Sequence, residues 1–298
     1  MKVFIKKNNL SYSPEIYAYS KYLKERDFKV DIDMDIDNYN INYDLIILLM
    51  GFYPNFNIKK YKNSKIIHEY SSLSLYPFSK IKNLIKYYFN SKPDGRIFNS
   101  RIIKKDLGYS DEIPFVYRDT GVDNFFFNDL KIKKEYDFVY TGSTGNVRKG
   151  LIEVFTKILK LGFSILVVGK ISNELYNKLK IYNKIDFTGK QERRDLPELY
   201  QKAIYGLNYT PNLYPLNLQN STKTVEYCAS GLKVVSNNYY WVNQFMKNNN
   251  ANFLWLENFV SRNDIESFNF ITPDVRHLIW DKILDKIYFE QFVKDIIK

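Results

Sequence analysis

Between residues 2 and 256 the chain alternates short runs of apolar, often β-branched residues with longer segments whose apolar residues recur at helical spacing. Strands buried on both faces and separated by helices belong to parallel sheets, because parallel pairing needs a crossover of a dozen or more residues. The spacing predicts strands at 2–5, 29–33, 44–49, 65–68, 96–99 and 114–117, with helices at 14–26 and 78–89 and one starting at Ser100. A short polar linker, 127–134, comes next. A second set follows, with strands at 136–140, 164–168, 185–188, 204–209, 232–236 and 252–256 and helices at 149–161, 172–181, 194–202, 221–230 and 240–248. From Pro273 onward the pattern is helical. The expected class is α/β, with Rossmann-like domains at 1–130 and 131–272 and a helical segment at 273–298.

Composition narrows the chemistry. A chain of 298 residues, 45% hydrophobic, can build two such cores. The single cysteine, Cys228, excludes a disulfide framework and fits a reducing cytoplasm. Two histidines, His68 and His277, argue against a zinc site. The first apolar run, 3–5, shows no signal peptide, and the longest, 45–50, is far too short to span a bilayer. Asp31, Asp33, Asp35 and Asp37 alternate with apolar residues; we read them as an exposed strand end rather than a cation site, so no metal is expected.

The formal charge is +11. From Lys59 to Lys105 lysines and arginines far outnumber Glu69 and Asp94, yet no nucleic-acid recognition motif accompanies them. Within this stretch Phe78, Ile81, Leu84, Ile85 and Phe89 share one side of a helix, while Lys80, Lys82 and Lys86 fall elsewhere around it. Two readings are open: a core-facing helix with a solvated basic face, or a basic amphipathic helix at an anionic membrane surface.

Two segments carry the functional signal. In the first, Ser221 or Thr222 can cap a helix whose first turns hold Lys223 and Glu226, which Gly231 ends before a strand at 232–235. A helix start with unpaired amides, a hydroxyl and a lysine suits a phosphate, and a glutamate one turn on can accept from two neighbouring sugar hydroxyls. In the second, the strand 136–140 runs into a loop with Gly142, Gly145, Arg148, Lys149 and Gly150, followed by an amphipathic helix. This is neither a Walker loop nor the dinucleotide fingerprint, but a strand, a basic glycine-containing loop and a helix can place an anion at a sheet edge. Diphosphate plus ribose describes a nucleotide-sugar.

The order of these segments resembles the donor domain of GT-B fold glycosyltransferases, specifically the retaining family four. Lys149 and Gly150 match that family's Lys-Gly pair. Residues 184–200 resemble its block of strand, glycine and leucine–tyrosine helix, and 203–211 its strand leading to the donor. Glu226, Ala229 and Gly231 match its Glu-x-x-Ala-x-Gly signature. Asp119, Gly121, Val122, Asp123 and Phe126 resemble the segment before the interdomain linker. The likeness covers roughly 95–253.

The resemblance implies two domains facing a cleft, a C-terminal helix crossing back to the first, and a donor linked to UDP or GDP. It places Gly142, Ser143, Arg148, Gly189, Lys190, Asn220, Ser221 and Thr222 around the donor, and Lys149, Lys223 and Glu226 on its diphosphate and ribose. His68, closing a strand of the first domain, is a candidate contact to the transferred sugar; a structural histidine is the equal alternative. Retention of configuration without metal or other cofactor is implied, with transfer to a glycan or lipid-linked acceptor in the cytoplasm or at the inner face of the membrane. Two departures stand out: Ser143 replaces an arginine and Leu218 a glutamate of the family. They motivate the alternative of an inactive transferase-like subunit that binds nucleotide-sugar.

Overall fold

A computed structural model describes residues 1–7, 12–36, 42–49, 51–54, 63–145 and 148–298. The chain divides into two compact units, one formed by 1–121 and 277–298, the other by 122–276. Unit one holds strands β1 (Lys2–Lys6), β2 (Lys29–Asp33), β3 (Leu45–Leu49), β4 (Lys65–Tyr70), β5 (Gly95–Phe98) and β6 (Phe115–Tyr117), with helices α1 (Pro14–Lys24), α2 (Ser79–Phe89) and α3 (Arg101–Leu107). Unit two holds β7 (Tyr136–Thr141), β8 (Ile165–Val168), β9 (Ile185–Gly189), β10 (Ala203–Asn208), β11 (Lys233–Ser236) and β12 (Leu254–Trp255). Its helices are α4 (Leu151–Lys160), α5 (Asn173–Leu179), α6 (Leu196–Gln201), α7 (Thr222–Ala229), α8 (Tyr240–Asn248) and α9 (Arg262–Glu266). The chain then returns to unit one as α10 (Trp280–Lys286) and α11 (Phe289–Ile297).

In unit one the sheet order is β2-β1-β3-β4-β5-β6, parallel throughout. Alternation splits β1 between two cores. Val3 and Ile5 pack with Tyr19 and Leu23 of α1 and with Leu284, Phe289 and Val293 of the tail; Phe4 packs with Tyr43, Ile46 and Ile66 on the other face. The tail is thus part of this core. The division falls at 121/122 rather than at 130/131, because 122–127 is bound to unit two: Phe126 is buried against Tyr200, Ser230 donates to its carbonyl, and Asp123 pairs with Arg193.

Helix α2 departs from the core-facing expectation. Its buried residues are the polar Ser79 and Asn83, and the Asn83 amide oxygen accepts from Ser74 N at 3.0 Å. Its apolar residues point out, with Phe78 72%, Tyr88 70% and Phe89 62% exposed. Asp31 and Asp33 lie on edge strand β2, where Asp31 accepts from the Tyr43 hydroxyl at 2.9 Å; Asp37 lies outside the described residues. Among the described residues no helix is long and apolar enough to cross a membrane.

Unit two has the order β12-β11-β10-β7-β8-β9, all parallel, which is the doubly wound arrangement. Phe138, Val139 and Tyr140 of the central strand β7 are all fully buried. Phe138 and Tyr140 meet Leu151, Phe155 and Ile158 of α4. Against β10, Tyr227 of α7 lies so close to Gly206 that a Cβ there would come within 2.5 Å of its ring.

Candidate functional site

Strand order in unit two reverses between β7 and β10, which pair directly. Ligands of open α/β sheets bind beyond the carboxyl ends of the strands at such a switch point. Here β7 delivers Tyr140, Thr141 and the loop to Gly150, β10 delivers Asn208, Tyr209 and Thr210, and α7 begins beside them.

Lys223, in the first turn of α7, reaches across this junction. Its Nζ donates to the Tyr209 carbonyl at 3.3 Å and sits 4.3 Å from the centroid of the Tyr140 ring. Burial, and secondly the charge of Arg148, hold its ammonium well below the ordinary lysine pKa. Arg148 donates to Thr210 Oγ1 at 3.3 Å. Among the described residues neither cation pairs with a carboxylate. Two neighbouring cations of this kind can hold an anion.

Glu226 lies one turn further along α7, 2% exposed, and accepts from the Tyr200 hydroxyl of α6 at 3.0 Å. Tyr200 is itself fixed between Phe126 and Tyr227. Ser221 is the N-cap: its Oγ accepts from Thr224 N at 3.4 Å and donates to Asn208 Oδ1 at 3.0 Å. The Asn208 amide continues to Ser236 and Tyr239, so α7 is pinned to the ends of β10 and β11. Around this frame three buried side-chain atoms have no hydrogen-bond partner among the described residues: Thr141 Oγ1, Asn217 Oδ1 and Gln219 Nε2. Orphaned polar atoms of this kind are costly unless something else satisfies them.

The remaining candidates distribute as follows. Lys149 is exposed, and its carbonyl accepts from the Tyr209 hydroxyl at 2.7 Å, so Tyr209 links the loop to Lys223. Gly150, with φ of 86°, begins α4 where a Cβ would collide with that same hydroxyl. Gly142 follows β7 directly, and Ser143 is exposed with its carbonyl accepting from Tyr140. Asn220 and Thr222 flank the cap and are half-buried. Gly189 and the exposed Lys190 end β9, the edge strand two places from β7.

His68 belongs to unit one. It is 3% exposed, with Nδ1 3.1 Å from the Tyr70 hydroxyl, and burial, then Arg96, lowers its pKa to about 3. Its Nε2 is buried without a hydrogen-bond partner among the described residues. The site also uses Tyr140, Tyr200, Asn208, Tyr209 and Thr210, which were absent from the candidates. For Tyr209 and Thr210 the signal was their place directly after an apolar strand; nothing in the sequence distinguishes Tyr200 as the partner of Glu226.

No protein-family profile matches the chain, and no curated protein sequence matches it significantly. Solved structures do. AviGT4, a glycosyltransferase involved in avilamycin A biosynthesis, superposes with a TM-score of 0.64 at 14% identity, covering 99% of this chain and 98% of that one. Sucrose-phosphate synthase from Thermosynechococcus elongatus gives 0.63 at 12%, covering 99% and 96%. HepE of Anabaena, in complex with UDP and glucose, gives 0.58 at 12%, covering 99% and 92%. Identities this low establish the fold alone. With two parallel six-stranded α/β units and likeness over nearly its whole length, the chain has the GT-B fold.

Proposed function

We propose that the chain is a glycosyltransferase whose second unit binds a nucleoside-diphosphate sugar, UDP- or GDP-linked, and passes the sugar to a glycan or lipid-linked acceptor in the cytoplasm. The observation that carries this reading is the pair Lys223 and Arg148, without a carboxylate partner among the described residues, at the switch point of a doubly wound sheet with Glu226 one turn away. The fold shared with AviGT4 and with the UDP-bound HepE supports it.

In this reading the diphosphate lies against Lys223, Arg148 and the start of α7, with Lys149 at its outer side. Glu226, which accepts from the Tyr200 hydroxyl, accepts also from the ribose hydroxyls. Thr141, Asn217 and Gln219 offer their buried polar atoms to donor groups, replacing the glutamate that Leu218 displaces. As the glycosidic bond breaks, negative charge grows on the departing diphosphate. A lysine held partly desolvated stabilises that charge more than it stabilises the ground state. A departing phosphate oxygen takes the acceptor proton, giving retention without a dedicated protein base. The cations and the helix start do the work a metal would do.

The test is a thermal-shift panel of UDP, GDP and their common sugar conjugates. Stabilisation rises with ligand concentration over dissociation constant. At least one nucleotide should raise the melting temperature in a saturable way, with the shift lost in Lys223→Ala and reduced in Glu226→Ala. Loss of one charge-assisted contact corresponds to about 10- to 100-fold in affinity. If no nucleotide shifts the protein, or both variants respond as the parent does, the assignment is wrong. Binding without transfer to any acceptor, and without hydrolysis, would leave the inactive binding subunit.

A further inference from the structure

The feature of unit one that the donor site leaves unexplained is the orientation of α2. At about 100° per residue, Phe78, Ile81, Leu84, Ile85, Tyr88 and Phe89 fill an arc about 140° wide. All six are exposed. Lys80 borders this arc on one side and Lys82 on the other, with Lys86 just beyond Lys82. The buried side holds Ser79 and Asn83. The helix carries three lysines and no carboxylate, and the neighbouring α3 adds Arg101, Lys104 and Lys105.

A soluble helix normally turns its apolar stripe to the core and its polar residues to water. Here the chain does the reverse and holds the reversal in place. Asn83 accepts from Ser74 N inside the unit, Tyr87 packs 5.4 Å from Tyr109, and Lys82 Nζ donates to the Leu75 carbonyl. An apolar patch ringed by cations loses contact with water most favourably at a surface that is apolar below and anionic at its rim. We propose that α2 docks the protein on the surface of a bilayer containing anionic lipid. Phe78, Ile81, Leu84, Ile85, Tyr88 and Phe89 enter the acyl boundary, while Lys80, Lys82 and Lys86 pair with headgroup phosphates. Charge complementarity selects the bilayer over a second copy of the chain: two α2 faces would bring six lysines together with no carboxylate on either helix. This inference is independent of the donor site.

The experiment is cosedimentation of the full-length protein with phosphatidylcholine vesicles and with equimolar phosphatidylcholine–phosphatidylglycerol vesicles. Binding is expected on the mixed vesicles, falling with added salt, and at least tenfold weaker on phosphatidylcholine alone. Leu84→Asp with Phe89→Asp should lower the partition coefficient on mixed vesicles about tenfold or more. Lys80→Glu with Lys82→Glu should do the same, at about fivefold per lysine. Leu84 and Phe89 are exposed and make none of the contacts that orient the helix, so the melting temperature and any nucleotide response of that variant should stay those of the parent. Equal binding to both vesicle types, absence of binding to either, or pelleting unchanged in both double variants would overturn the proposal. So would a concentration-dependent dimer that Leu84→Asp dissolves.

Discussion

His68 and Lys223 show how burial sets the chemistry available to a single side chain. Both are ionisable, His68 buried and Lys223 half-buried, and both have pKa values lowered first by lost hydration and then by a neighbouring arginine. In His68 the outcome is a ring that stays neutral at any ordinary pH. Its pKa falls from 6.5 in a free chain to about 3 in the fold. Between these values the unfolded chain binds a proton that the native state refuses. Stability therefore declines as the pH drops from 6.5 toward 3, by up to about 1.4 kcal/mol per pH unit from this group. Replacing the ring by an uncharged one should remove that slope. We expect His68→Phe to show a shallower fall in melting temperature than the parent between pH 6.5 and 4, measured by circular dichroism, whatever its stability at neutral pH. An unchanged acid slope would show that His68 does not titrate in the unfolding reaction. Lys223 differs in that it touches the junction where a ligand would bring the missing negative charge. The sequence places Lys223 at a helix start, as found, and has His68 closing its strand, whereas β4 runs two residues further to Tyr70. It could not tell them apart, because burial and the proximity of Arg96 or Arg148 arise only from packing.

At the scale of elements, α7 concentrates the interactions that the proposed site depends on. Its N-cap Ser221 joins the helix to β10 through Asn208, and Asn208 joins β10 to Ser236 and Tyr239. Truncating that hydroxyl removes a cap and leaves a buried amide oxygen without its donor. Ser221→Ala should therefore cost about 1–2 kcal/mol in denaturant unfolding, together with a loss of nucleotide affinity as the start of the helix loosens. Normal stability and normal affinity in this variant would show that the cap positions nothing. Most of these elements were legible beforehand. The apolar runs of β7, β10 and β11 are continuous because both faces are covered, and Ser221, Gly231 and the glycine-containing loop mark where strands give way to helices. The five-residue helix α9 was missed although Ser261 and Asp264 form a capping box, since it is too short to show periodicity. Helix α2 was legible as a helix but not in its facing. Periodicity reports that a face is apolar, and only the surrounding packing decides whether it meets a core or a surface.

For the whole molecule, the two units are each complete α/β sheets with separate cores, and unit one borrows its last helices from the far end of the chain. That return was implied by the resemblance to GT-B enzymes and not by any local pattern, because an amphipathic tail carries no record of which core it covers. The order of strands was likewise beyond local reading, although it is what brings the 141–150 loop and the start of α7 to one junction. The division of labour follows from composition. Six lysines and arginines lie on α2 and α3 of unit one, while in unit two Lys223 and Arg148 meet at the sheet switch point. The account stands on the claim that this junction grips a diphosphate through Lys223. Calorimetric titration of UDP and GDP against the corresponding free nucleosides, at neutral and at alkaline pH, tests it directly. The account predicts that at least one diphosphate binds more tightly than its nucleoside, that its affinity falls as the pH rises through the lowered pKa of Lys223, and that Lys223→Ala abolishes both the advantage and the pH dependence. A nucleoside that binds as well as its diphosphate, or a Lys223→Ala protein with the parent's affinity at every pH, would contradict it.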